Sequence, residues 1–362
     1  MNGQRIVGCV GNTVPLEAVL AAGAFAVRIA PVDGPAAAAD AHIESFTDLD
    51  ARLIFAQYVS GQLDALDLLL IPRSTENQHK LYLALREAQR TGLKQGGPAL
   101  WLCDILHTLR PSSRAYGLAR TRELLLRLGE LTGHAPDAAD LARAISLTNE
   151  TRVQLTRLQA LRLAGQVSGQ QAQIAAGATR FLAPEFAKDA LCAWLDAGVF
   201  APAHGPRLLV KGVPLDHAAL HALVDELGAC IVQEDDDWGA RAGTPMIDAA
   251  GDPIEAIFDH YHAQVPCPRI HPVDAEHDWF AEAIRSVGSA GSVRVDAVLF
   301  YLPRPDDIHG WRFPEQRARV EQARLPWLLI RDDARGATAH SALGQSLGGF
   351  IASLASPPAR VP

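Results

Sequence analysis

Residues 5–29 read RIVGCVGNTVPLEAVLAAGAFAVRI, and the fold class follows from them. The apolar run Arg5–Val10 has the length and composition of a strand. Pro15–Ala22 then reads as a helix and Ala26–Ile29 as a second strand. Strands separated by helical segments indicate a parallel sheet, because a parallel connection needs a crossover and a helix supplies it. The alternation continues with Asp67–Ile71, closed by Pro72, and with Ala99–Cys103, followed by the turn-like Arg110-Pro111-Ser112-Ser113.

From about Tyr116 to Phe200 the pattern is helical throughout. Leu124, Leu125, Leu128 and Leu131 share a face, as do Leu155, Leu158 and Leu161. Gly133 suits a helix end and Asp137 a cap for the next helix. Alternation then returns in Arg207–Lys211, Ala229–Gln233, Val295–Tyr301 and Trp327–Ile330. Asp252–Asp278, rich in His and Pro, reads as a long loop with helical pieces. Leu343–Leu354 reads as a short apolar helix and Ser356–Pro362 as a frayed tail. The expected architecture is α/β, with two Rossmann-like or flavodoxin-like lobes of mostly parallel strands, residues 1–115 and 205–335. A helical region, 116–204, joins them, and a C-terminal helix and tail, 336–362, follow.

Composition narrows the function. The 362 residues are 48% hydrophobic and 20% charged, which excludes a mostly disordered chain. Lys and Arg number 33 against 41 Asp and Glu, and only Lys80, Lys94, Lys188 and Lys211 are lysines. No basic stripe appears, which argues against a nucleic-acid backbone binder and a polybasic membrane patch. The first apolar run is too short for a signal-peptide core, and no stretch reaches the ~20 apolar residues of a spanning helix. A cytoplasmic location is expected. Cys9, Cys103, Cys192, Cys230 and Cys267 are scattered without C-x-x-C spacing, so they form neither a disulfide framework nor a zinc site. No G-x-G-x-x-G follows the first strand and no Walker A loop occurs, so a nicotinamide or ATP cofactor has no support.

Ligands of open parallel sheets bind beyond the carboxyl ends of the strands. The candidate segments are therefore Pro72–Gln78, Asp104–Ser113, Gly212–Asp216, Glu234–Arg241, Leu302–His309 and Arg331–Asp333. Glu234-Asp235-Asp236-Asp237 reads first as a solvated acidic turn capping the next helix, with a perturbed-carboxylate site beside Arg241 as the alternative. Cys103, with Asp104 and His107 nearby, reads as a buried thiol rather than a nucleophile. His260, His262, Cys267, His271 and His277 lack metal-ligand spacing.

An ordered series of these segments resembles one family, the 2-hydroxyacyl-CoA dehydratase and benzoyl-CoA reductase subunits. Gly8–Gly23, GCVGNTVPLEAVLAAG, is similar to the family's opening strand and helix. Asp67–Tyr82 resembles its strand, turn and Leu-Tyr helix, and Asn149 with Arg152 its N-x-x-R pair. Arg207–Pro214 resembles R-x-x-x-x-G-x-P, and Gly228–Arg241 resembles G-A-x-V-x-x-D-x-x-G-x-R. Val265–Arg269 resembles a C-P turn before an Arg, and Asp296–Pro303 resembles D-G-V-I-x-x-F-C-x-P. Pro326–Asp333 resembles P-x-L-x-x-E-x-D, with Arg331 in place of the Glu.

The resemblance implies a [4Fe–4S] cluster on three cysteine thiolates in the family's working subunits, and this chain departs from the pattern at all three. Glu44–Tyr58 holds no cysteine, Thr75 stands in the T-C-D turn, and Tyr301 stands in the F-C-x-P turn. The chain is therefore expected to carry no cluster and no other cofactor. Tyr301 is expected to place its ring in the former cluster cavity, with its hydroxyl bonded to Glu76 or Ser74. The cleft candidates are Ser74, Glu76, Asp104, Arg110, Glu234, Asp235, Trp238 and Arg241. Three functions follow: a non-cluster subunit of an acyl-CoA dehydratase or reductase complex, a catalytically inactive scaffold binding acyl-CoA or another anion, and an enzyme of new metal-free chemistry around Tyr301, Glu234 and Arg241. A dimer, homomeric or with a related cluster-bearing subunit, is expected from the resemblance and from the apolar helix Leu343–Leu354, which needs a surface to cover.

Overall fold

The computed structural model describes residues 3–355 apart from 33, 35, 36, 45, 244, 272, 273, 286–294, 305 and 307. The tail Ser356–Pro362 and the side chain of His277 lie outside the described residues. The chain forms two compact units. One comprises Met1–Arg152, Thr179–Lys188 and Thr244–Ala275, and the other Val153–Ala178, Asp189–Gly243 and Glu276–Pro362.

In the first unit, β1 (Ile6–Val10), α1 (Leu16–Ala21), β2 (Phe25–Ile29), α2 (Ala37–Asp40), α3 (Leu49–Val59), β3 (Leu68–Pro72), α4 (Glu76–Arg90) and β4 (Ala99–Cys103) follow one another. The strands pair in parallel in the order β2-β1-β3-β4. All five residues of β3 are buried, because helices cover both faces of a parallel sheet. Leu68 and Leu70 face the core shared with Ala18 and Leu124, whereas Leu69 and Ile71 face Phe55 and Leu81.

The expected helical stretch is α5 (Pro111–Thr132), α6 (Ala138–Leu163), α7 (Gly169–Phe181) and α8 (Pro184–Ala197). Gly133 ends α5 at φ +76, and the Asp137 carboxylate accepts the Asp140 N–H at 2.8 Å. The second unit's sheet is built from β5 (Arg207–Gly212), β6 (Cys230–Asp235), β7 (Ala297–Tyr301) and β8 (Trp327–Ile330), again all parallel, in the order β6-β5-β7-β8. α9 (Ala219–Glu226) joins β5 to β6. In the first unit α10 (Pro253–Asp259) runs on into a π turn, His260–Gln264. α11 (Asp274–Arg285), α12 (Phe313–Gln322) and α13 (Ala342–Ala355) complete the chain.

The two sheets share both their order and the device that starts them. Asp67, one residue before β3, accepts the N–H of Ile6 at 2.8 Å and donates its own N–H to Ile6 O at 2.8 Å. Asp296, one residue before β7, does the same with Arg207, at 2.9 and 2.7 Å. Each carboxylate thus sets the register of a central strand pair.

One expectation fails here. α13 needs no external surface, since Leu343, Leu347 and Ile351 are buried against Val210, Leu299 and Ile330 of its own sheet. Its apolar composition comes from covering that face, and it gives no support for a dimer.

Candidate functional site

The switch point of the first sheet lies between β1 and β3, where ligand sites of this topology form. The hydroxyls of Thr13, after β1, and Ser74, after β3, hydrogen-bond to each other there, and both are buried. Thr75 is the N-cap of α4. Its Oγ1 accepts the Gln78 N–H at 3.1 Å while the Gln78 side chain accepts the Thr75 N–H at 3.1 Å, a complete capping box. Glu76 pairs with Arg269. Asp104 accepts from Arg73 Nη1 at 2.8 Å and from Tyr116 OH at 2.6 Å. Burial raises its pKa, but those two hydrogen bonds and the Arg73 charge outweigh this and hold the carboxyl below its usual value. Arg110 is exposed and caps α5 through its backbone conformation alone.

The structure also brings Cys267 to this turn. Its thiol donates to Ser74 O at 3.4 Å and accepts from Arg269 N at 3.4 Å, while Arg269 also reaches Arg73 O. Cys9 and Cys103 lie in the core, where burial pushes the Cys9 thiol up to about 12 and raises Cys103 as well. Cys103 is thus the buried thiol expected. Its neighbour His107 turns Nδ1 to His262 O at 3.1 Å, and burial lowers its pKa to about 4.

At the carboxyl end of the second sheet, the expectation of a solvated acidic turn is overturned. Glu234 is 0% exposed and Asp235 and Asp236 are each 6% exposed. Arg162 of α6 donates to both Glu234 oxygens and to Ile231 O, and His221 of α9 adds a bond at 2.6 Å. Asp235 is shared by Lys211 at 2.5 Å and Arg241 at 2.6 Å. Phe280 and Trp279 lie near these two cations, at 5.6 and 5.1 Å from the ring centroids. Burial disfavours both charged carboxylates, yet their cations hold Glu234 and Asp235 below the ordinary range. Asp236 differs: among the described residues it accepts from backbone N–H groups, those of Trp238 at 3.0 Å, Gly239 at 2.8 Å and Leu215 at 3.2 Å. Burial, then the charge of Glu234, push it up to about 7 against those donors. Trp238, proposed for the cleft, is 2% exposed and belongs to the interior. Gly239 is required beside it, since a Cβ there would lie 2.2 Å from Glu234 Oε2.

Tyr301 ends β7 and is 2% exposed. Its hydroxyl accepts the Ala334 N–H at 3.2 Å and donates to Asp333 at 3.4 Å. The partners of the phenol are thus in the loop after β8 and not the expected Glu76 or Ser74, which pair with Arg269 and Thr13. Burial and Asp333 raise the Tyr301 pKa, so the phenol stays neutral.

The motif residues of the helical stretch have structural partners. Asn149 exchanges two hydrogen bonds with the backbone of Ile247, at 2.8 and 3.0 Å. Arg152 reaches the fully buried Glu17 at 2.8 Å, which Thr148 and Tyr261 also contact, at 2.7 and 2.8 Å. Burial opposes the charge on Glu17, but Arg152 lowers its pKa to about 2. The His-rich segment is likewise occupied, His260 by Arg152 and Gln264, and His262 by stacking on Phe258 at 4.9 Å.

A family model described as 2-hydroxyglutaryl-CoA dehydratase, D-component, matches residues 12–349. The chain belongs to this family. No curated protein matches it. The resemblance assigns the family's cluster to thiolate positions, and two of those positions carry hydroxyls here. The Thr75 hydroxyl is committed to its capping box and the Tyr301 hydroxyl to Ala334 and Asp333. Among the described residues, no three His, Cys, Asp or Glu side chains gather as metal ligands do. No described helix is long and apolar enough to cross a membrane. Arg162, Lys211, His221 and Glu17 went unread in the sequence, because no local pattern marks a residue whose partner is distant.

Proposed function

We propose that this chain is a non-cluster subunit of a 2-hydroxyacyl-CoA dehydratase-like complex acting on an acyl-CoA thioester. It keeps the scaffold, and a related cysteine-bearing subunit supplies the redox chemistry. One observation carries the reading: in a chain matching the family over residues 12–349, Thr75 and Tyr301 do architectural work at the positions that the family resemblance assigns to thiolates. A hydroxyl that caps a helix and a phenol that clasps a loop offer a cluster no anionic sulfur. The chemistry therefore falls to the partner, while this chain contributes fold and interface.

The test is anaerobic purification with native partners, iron analysis and mass spectrometry of the co-purified chains. A cysteine-bearing relative carrying all the iron is the expected result. Recovery of this chain alone, binding acyl-CoA without turnover, would instead favour the scaffold reading.

A further inference from the structure

Arg331 follows β8 directly, and Arg304 lies in the loop after β7. The ladder between these strands continues past their ends. Leu302 donates its N–H to Ile330 O at 2.9 Å, and Arg304 donates its N–H to Arg331 O at 3.2 Å. Two guanidiniums thus start from hydrogen-bonded neighbours at the carboxyl edge of the second sheet. Among the described residues neither has an ion-pair, hydrogen-bond or ring partner; Arg304 is exposed and Arg331 half-buried. The charges along the same segments are otherwise settled. Arg335 holds Asp216 at 3.1 Å and Asp333 at 3.7 Å, while Asp306 accepts backbone N–H groups from Ile308, His309 and Gly310. Asp332 is exposed, and against it the two arginines still leave a positive excess. The family resemblance has a glutamate at the position of Arg331, so the sign is reversed in this chain. The loop that bears Arg304 also bears Trp311, which is 84% exposed. We propose that Arg304 and Arg331 bind the phosphates of a nucleotide whose base stacks on Trp311.

The chemistry of each group supports this. Neighbouring guanidiniums repel each other, and an anion held by both turns that repulsion into attraction. Each presents a planar fork of N–H donors that matches phosphate oxygens two at a time. A diphosphate has oxygens enough for both forks. The Trp311 indole buries little of its surface in its own fold, and a flat heteroaromatic ring is what such a face covers well. Position agrees with this. Ligands of open parallel sheets settle beyond the carboxyl ends of the strands, and β7 borders the second sheet's switch point with β5. Nucleoside diphosphates and the nucleotide end of an acyl-CoA both offer this chemistry, so the site does not depend on the subunit role proposed above.

Calorimetric titration of the full chain with ADP, coenzyme A, adenosine and inorganic phosphate tests it. ADP should bind, adenosine and phosphate should each bind at least about tenfold more weakly, and added salt should weaken ADP. Arg304→Gln and Arg331→Glu should each lower ADP affinity by about tenfold or more while leaving the thermal midpoint in place. Trp311→Ala should weaken ADP but not phosphate. Coenzyme A binding more tightly than ADP assigns the site to the nucleotide end of a thioester, and equal or weaker binding assigns it to a nucleoside diphosphate. A wild type that binds neither ADP nor coenzyme A overturns the proposal, as does wild-type affinity in Arg331→Glu. Should the variants not fold, the wild type decides by competition: ADP displaced by excess pyrophosphate supports the site, and ADP displaced by adenosine but not by pyrophosphate refutes it.

Discussion

The Arg162 guanidinium holds both oxygens of Glu234 from 72 residues away, and neither side chain is more than 2% exposed. A pair of this kind is costly to break from one side, because the survivor is a buried, uncompensated charge. Arg162→Met should destabilise the second unit by about 3–5 kcal/mol, read by denaturant unfolding. An effect below about 1 kcal/mol would show that Glu234 takes up a proton instead.

Tyr301→Phe removes the hydroxyl that accepts the Ala334 N–H while keeping the ring. A loss of about 1–2 kcal/mol is expected, with the rest of the sheet intact. Tyr301→Cys should lose more, since it removes the packed ring as well. A more stable Tyr301→Phe would show that the hydroxyl is no clasp.

Gly212 lies at φ +145, and a Cβ there would stand 2.1 Å from Tyr301 O. Gly212→Ala should therefore cost about 3 kcal/mol or more, by backbone strain and by prising β5 from β7. A variant of wild-type stability would mean that the strand ends part easily.

Acid should weaken the protein in two stages. His107 and His260, lowered to about 4 chiefly by burial, are neutral when folded and take up protons when unfolded, so stability falls as pH drops from about 6.5 toward 4. Glu17, lowered to about 2, adds a loss as pH falls below about 4.5, where the unfolded chain protonates first. Titrating unfolding free energy against pH should show both slopes, and Glu17→Gln should erase the second in part.

Anaerobic reconstitution of the chain alone should leave it without iron or acid-labile sulfide. About four irons per chain, the cubane stoichiometry, lost on replacing Cys9, Cys103 or Cys267 by Ser, would restore a redox role.

Much of the fold was legible because it is written locally. Ala99–Cys103 and Trp327–Ile330 are apolar runs between turn residues, and the structure gives both strands those bounds. The acidic turn was misread for the opposite reason. Glu234 looks solvated until Arg162 and His221 arrive, 72 and 13 residues away, and Asp235 until Lys211 arrives from 24 residues upstream. Family position suggests a partner for Tyr301 in another segment, whereas its hydroxyl bonds to Ala334 and Asp333, 33 and 32 residues along its own unit. No local pattern links Cys267 to Ser74, since 193 residues separate them.

The interleaving of the two units constrains how the protein can be made. The chain passes between them after Arg152, Ala178, Lys188, Gly243 and Ala275, so no single cut releases a complete lobe. All four strands of the first sheet leave the ribosome within the first 103 residues. Yet their core also takes in Ile247, Ile257, Phe258 and Val265. During synthesis, Leu124, Leu128 and Ile145 must wait uncovered while most of the second sheet's helical support is still being translated. A truncated product ending before Ile247 should therefore aggregate rather than fold as a half-protein.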